Sequence, residues 1–87
     1  MSAIDDVITE TQVVIEKTNE TSLAAGVLGE RITEALKLVT EAGIDYAVQG
    51  MTQAKDMVEK LEAQLSAAGQ TAEEIQAVAE ASRTGGT

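Results

Sequence analysis

Ala42-Gly43-Ile44-Asp45 stands at the middle of an 87-residue chain and decides its architecture. A glycine after a long helix-favouring run can take the left-handed conformation that ends a helix. The next apolar residue, Ile44, can fold back over the last turn, and Asp45 can cap a second helix. A stop and a start this close together predict an antiparallel helical hairpin in an all-α chain.

Reading toward the N-terminus, Ile4, Ile8, Thr11, Ile15, Thr18, Ser22, Ala25, Gly29, Ile32, Leu36 and Val39 follow one another in steps of four and three. That is a heptad seam along one helix face, and it predicts a helix over about 3–42. Val7, Val14, Leu28 and Ala35 widen the seam on one flank, as in a bundle helix. Ser2 and Asp5 suit the N-terminus as a capping pair. At 1.5 Å per residue the helix would be roughly 60 Å long. Thr18-Asn19-Glu20-Thr21-Ser22 is its weakest stretch, where cap-prone and β-branched residues favour a break that the continuous seam opposes.

Toward the C-terminus, Ala47/Val48, Met51, Ala54, Val58, Leu61, Leu65 and Ala68 mark a second helix over about 46–68, with Gly69 as its stop. Thr71 and Glu74 form a T-x-x-E capping box, predicting a short third helix over 72–82 with Ile75, Val78 and Ala79 on one face. Residues 1–82 are thus expected to form one domain, and 83–87 a flexible tail. A turn at mid-chain sets residue i opposite roughly 88 − i. Ile8 and Ile15 would then face Val78 and Ile75, Ser22 and Ala25 would face Ser66 and Ala63, and Leu36 would face Met51 and Thr52.

Composition supports a thin core. Apolar residues make up 44% of the chain, but Phe and Trp are absent and Tyr46 is the one aromatic, so Val, Ile and Leu must carry the core, with three Met beside them. Two helices hide one stripe each, yet Val13, Val27, Leu38 and Met57 lie off the main seam. A second copy or a sister hairpin packed alongside would cover them in a four-helix bundle, and oligomerisation is a common remedy for so small a core. The candidate interaction residues are therefore Ile8, Ile15, Ala25, Gly29, Ile32, Leu36 and Leu61 on the seam, with Val27, Leu38, Met57 and the turn-side Tyr46 as surplus apolar surface. Gly26 and Gly29, near Ser22 and Ala25, suggest close helix approach or a bend.

The same composition removes most catalytic chemistry. There is no histidine and no cysteine, which excludes His- and Cys-ligated zinc sites, Ser–His pairs and thiolate nucleophiles. The adjacent carboxylates, such as Glu30/Glu34 and Asp56/Glu59, lie among Arg31, Lys37 and Lys60 and read as a solvated face. No catalytic, cofactor-binding or metal-binding residue is assigned. The net charge of −9 repels phosphate backbones and anionic lipid, so neither nucleic acid nor membrane is an expected partner. No apolar run approaches the ~20 residues of a membrane span, and residues 1–6 do not read as a cleavable signal peptide. The expected location is the cytoplasm, or outside the cell by a route that needs no such peptide. Thr21-Ser22-Leu23 lacks the aspartate of the acyl-carrier Asp-Ser-Leu motif, and the Gly85-Gly86 pair belongs to a chain without the strands of ubiquitin-like modifiers.

Two helices of this length joined by the mid-chain turn at Gly43 resemble the Trp-X-Gly helical-hairpin proteins exported by type VII secretion systems. The Ala/Thr/Glu/Val-rich composition is similar to that of other short actinobacterial helical proteins. The likeness is one of outline: the turn holds no tryptophan, and Tyr46 is followed four residues later by Gly50 rather than an acid. It implies a hairpin that pairs with itself or with a sister protein. Two functions follow as expectations: an interaction module, with a secretion system as one setting for it, or a structural subunit of a repeating assembly such as a filament, sheath or phage particle.

Overall fold

A computed structural model describes residues 2–85 and shows two long helices, α1 (Ala3–Ala42) and α2 (Asp45–Gly85), folded as a hairpin. The molecule is a rod 67 Å long and 15 × 12 Å across. Ser2 lies in the extended conformation before α1, and its Oγ accepts from the Asp5 backbone N–H at 3.2 Å. Asp5 and Asp6 occupy the first turn, where the helix dipole favours negative charge. No break occurs at 18–22. The Thr18 and Thr21 hydroxyls donate to the carbonyls of Val14 and Lys17 one turn back, so these residues satisfy their polar groups inside the helix.

The turn follows its sequence. Gly43 has φ 71° and ψ 28°; its N–H donates to Thr40 O at 3.1 Å, and the Ile44 N–H donates to Val39 O at 3.1 Å. These paired bonds close the end of α1 in a Schellman motif, which needs a residue without a Cβ at the left-handed position. One detail differs from expectation. The Ile44 carbonyl accepts the first bonds of α2, from Ala47 and Val48, so Asp45 is the first helical residue rather than the cap.

The larger correction concerns 69–85. Among the described residues there is no third helix: α2 continues without a stop at Gly69 through Gly85. Gly69 is a helix-interior residue beside α1, and the Thr71 hydroxyl donates to Ala67 O at 3.0 Å instead of capping a new helix. The expected tail is also helical to Gly85, and Arg83 reaches Asp5 across the open end; residues 86–87 of that tail lie outside the described residues. The hydrophobic reason is that the heptad does not end at Gly69. Met51, Val58, Leu65, Ala72 and Ala79 carry one of its positions through that residue without a change of phase. A single glycine costs a helix only ~1 kcal/mol, which continued packing against α1 offsets.

The register is the expected one. Gly29 lies beside Val58, Thr18 beside Gly69, Gln12 bonds Gln76 and Asp5 bonds Arg83, partners whose numbers add to 87 or 88. Every seam residue expected in α1 is buried or partly buried, with Thr11 and Ala25 the most enclosed. In α2 the enclosed residues are Val58, Ala72 and Ala79. At the open end the register therefore sets alanines toward Ile8 and Ile15, whereas the expected partners Val78 and Ile75 stand out on a flank with half or more of their surface exposed. Among the described residues no large side chain is fully buried, as befits a core one stripe thick.

Candidate interaction surface

Heptad positions sort the surface that this hairpin leaves open. In α1, Ile8, Ile15, Ser22, Gly29 and Leu36 fall at a, and Ile4, Thr11, Thr18, Ala25, Ile32 and Val39 at d. In α2 the d positions are Met51, Val58, Leu65, Ala72 and Ala79. Its a positions are Val48, Lys55, Glu62, Gly69, Gln76 and Arg83, nearly all polar or small. Antiparallel helices bring their two g rows to one side of the rod and their two e rows to the other.

Those two sides differ in chemistry. The g side carries Val7, Val14, Thr21, Leu28, Ala35 and Ala42 from α1, with Ala47, Ala54, Leu61, Ala68, Ile75 and Ser82 from α2. None of these twelve residues is charged, in a chain with 15 acidic and 6 basic side chains. The e side carries Asp5, Gln12, Asn19, Gly26, Thr33 and Thr40 opposite Asp45, Thr52, Glu59, Ser66, Glu73 and Glu80. The interhelical polar contacts lie there: Gln76 Nε2 donates to Gln12 Oε1 at 2.9 Å, and Arg83 Nη1 donates to Asp5 Oδ1 at 3.0 Å. The Arg83 guanidinium, with smaller help from Ser2, holds the Asp5 carboxyl below the ordinary carboxylate range.

Two grooves at the open end of the g side have mainly apolar floors and acidic rims. One of about 530 Å³ runs over α2 between Ile4, Val7, Thr71, Ile75, Val78 and Ser82, with Glu74 at its edge. A neighbouring one of about 390 Å³ runs over α1 between Val7, Val13, Val14 and Ile75, with Asp6 and Glu10 at its edge. On the e side the depression is lined by Thr18, Asn19, Ser22, Ser66, Gln70 and Glu73 and is polar.

The expected interaction residues separate accordingly. Ile8, Ile15, Ala25, Gly29, Ile32 and Leu36 form the internal seam and are taken up by α2. Leu61 is not a seam residue but a g-side one, 37% exposed. Leu38 and Met57, 59% and 64% exposed, occupy c positions beside the g rows and extend the apolar side outward. Val27 and Val13 lie at f, on the back of α1, and Tyr46 projects beside the turn with 82% of its surface exposed. An added Cβ at Gly26 would meet nothing, and one at Gly29 would meet Val58 Cγ1 at an ordinary 3.6 Å, so these glycines mark no forced close approach.

Sequence reading missed Val7, Val14, Leu28, Ile75 and Val78 as one surface, because the supposed stop at Gly69 put the last two on a separate helix. Among the described residues no three carboxylates come close enough to hold a metal, and no helix is long and apolar enough to cross a membrane. Comparison with known families, curated proteins and solved structures gives no match for this chain.

Proposed function

We propose that this protein is a non-enzymatic helical interaction module that works by packing its g side against another helical hairpin, a second copy or a sister chain, in a four-helix bundle. The observation that carries this is the uncharged g side facing away from an acidic e side. Area supports it. A compact 9.1 kDa monomer exposes about 4,900 Å², and this chain exposes 6225 Å². The surplus of about 1,300 Å² exceeds the ~800 Å² per partner of a standard stable interface.

A second reading, a subunit of a repeating assembly, draws on Val13, Val27 and Leu23, which expose apolar surface away from the g side. Light scattering over a concentration series separates the two. A mass that settles at a two-hairpin complex supports the module, and growth without limit supports the subunit. A monomer with a cooperative, concentration-independent unfolding transition overturns both.

A further inference from the structure

Resting on that reading, we infer that the occupant of the g side is a second copy of this chain, inverted end for end, whose Leu38 and Met57 fill the two open-end grooves. Three observations combine. The first is a gradient of side-chain size along the g side. The open end presents Val7, Val14 and Ile75, the middle Leu28 and Leu61, and the turn end Ala35, Ala42, Ala47 and Ala54. Two copies fill a bundle evenly only when one is inverted, because the larger open end of each then meets the alanines at the turn end of the other.

The second is the correspondence of protrusions with hollows. An inverted copy centred on the middle of α1 places residue i of α1 at the level of about 45 − i on the other copy. Leu38 then lies at the level of Val7, and Met57, which stands level with Arg31 in its own hairpin, falls near Val14. A two-fold axis in the interface, perpendicular to the rod, also stacks α1 on α1 and α2 on α2. Leu38, on α1, thereby meets the groove over α1 at Val7, Glu10 and Val14. Met57, on α2, meets the groove over α2 between Thr71 and Ile75. Parallel pairing stacks α1 on α2 instead. It puts Met57 against Arg31 and sets the valine- and isoleucine-rich ends against each other.

The third is charge. A chain of net charge −9 repels its own copy except through a face where charge is absent, and the g rows are such a face. A partner of opposite charge would instead be drawn to the acidic e side.

The chain has no cysteine, so a spin label at Glu41→Cys, in the last turn of α1 and on its exposed back, reports orientation without entering the g side. In the inverted dimer the two labels lie about 55 Å apart along the rod. In a parallel dimer they lie within about 30 Å, the width of a four-helix bundle. A dimer mass with the long distance is the expected result. A dimer with the short distance overturns the inversion and leaves the proposed function standing; a monomer, or open-ended growth, overturns the inference at its base. A second arm tests the grooves: Leu38→Glu should weaken the dimer at least about tenfold, because a carboxylate would be set against Val7 and Val14 and beside the acidic Asp6 and Glu10. Leu23→Glu, on the other flank and 74% exposed, should leave it unchanged. Equal effects of the two, at full helicity by circular dichroism, would refute the groove assignment.

Discussion

Replacing Gly69 with alanine has opposite consequences under two descriptions of this chain. If Gly69 ended a helix in the left-handed conformation, as its place before Thr71-x-x-Glu74 suggests, a Cβ there would cost about 1–2 kcal/mol. In the structure Gly69 lies inside α2, Gly43 is the one glycine at positive φ among the described residues, and a Cβ at 69 would meet Thr18 Cγ2 at 3.7 Å. That distance is an ordinary van der Waals contact, so alanine gains the helix propensity without strain. Gly69→Ala should therefore stabilise by about 1 kcal/mol. For a domain of this size the midpoint of thermal unfolding should rise by roughly 4–8 °C. Gly26→Ala, whose new methyl would touch nothing, isolates propensity alone, and any excess at position 69 measures the contact with Thr18. Gly43→Ala should lower the midpoint, since φ is 71° there. Melting by circular dichroism at one fixed protein concentration suffices, because the proposed self-association would make the midpoint concentration-dependent. A lower midpoint for Gly69→Ala would refute the continuous α2.

Three further outcomes are expected. Val58→Ala removes two methyls from the most enclosed branched apolar side chain among the described residues, 6% exposed, and should cost about 2 kcal/mol in urea unfolding. Thr11→Val should be neutral or slightly stabilising in the same assay. The buried Thr11 hydroxyl donates at 2.6 Å to the Val7 carbonyl, which the helix already satisfies, so its loss orphans nothing. Because folding lowers the Asp5 pKa, the Arg83–Asp5 pair contributes its stability above the ordinary carboxylate range and loses it as pH falls through the folded-state value. Carboxyl NMR should show the Asp5 midpoint moving upward in Arg83→Gln, and an unmoved midpoint would refute the pairing.

The hairpin was legible because its signals are local. Gly43 after a proline-free run, and an α1 seam in strict four–three alternation, each specify one conformation without reference to distant residues. The length of α2 was less so. Glycine followed two residues later by a Thr-x-x-Glu box is a fair helix boundary on local grounds, and only the heptad phase carried across it tells otherwise. That phase becomes visible once α1 is known to continue opposite residues 70–83, offering Thr11 and Ile8 to whatever lies there.

The interaction surface was harder to read for a related reason. The apolar residues of α2 mark d and g positions, Met51, Ala54, Val58, Leu61, Leu65 and Ala68, and a reading by hydrophobicity takes that stripe as the contact with α1. The structure instead directs d and a toward α1, although a holds Lys55, Glu62, Gly69 and Gln76. The apolar stripe of α2 is thus turned away from its neighbour by about one row spacing of the wheel, roughly 50°. A helix that served one partner would centre its apolar arc on that partner, since burial is proportional to area removed from water. An arc shared between α1 on one edge and open solvent on the other suits a helix with two partners. The displacement of the stripe is toward the g side, where α1 also places Val7, Val14 and Leu28. Both helices therefore carry apolar surface on the g side, as the proposed neighbour, a single body lying along the rod, requires.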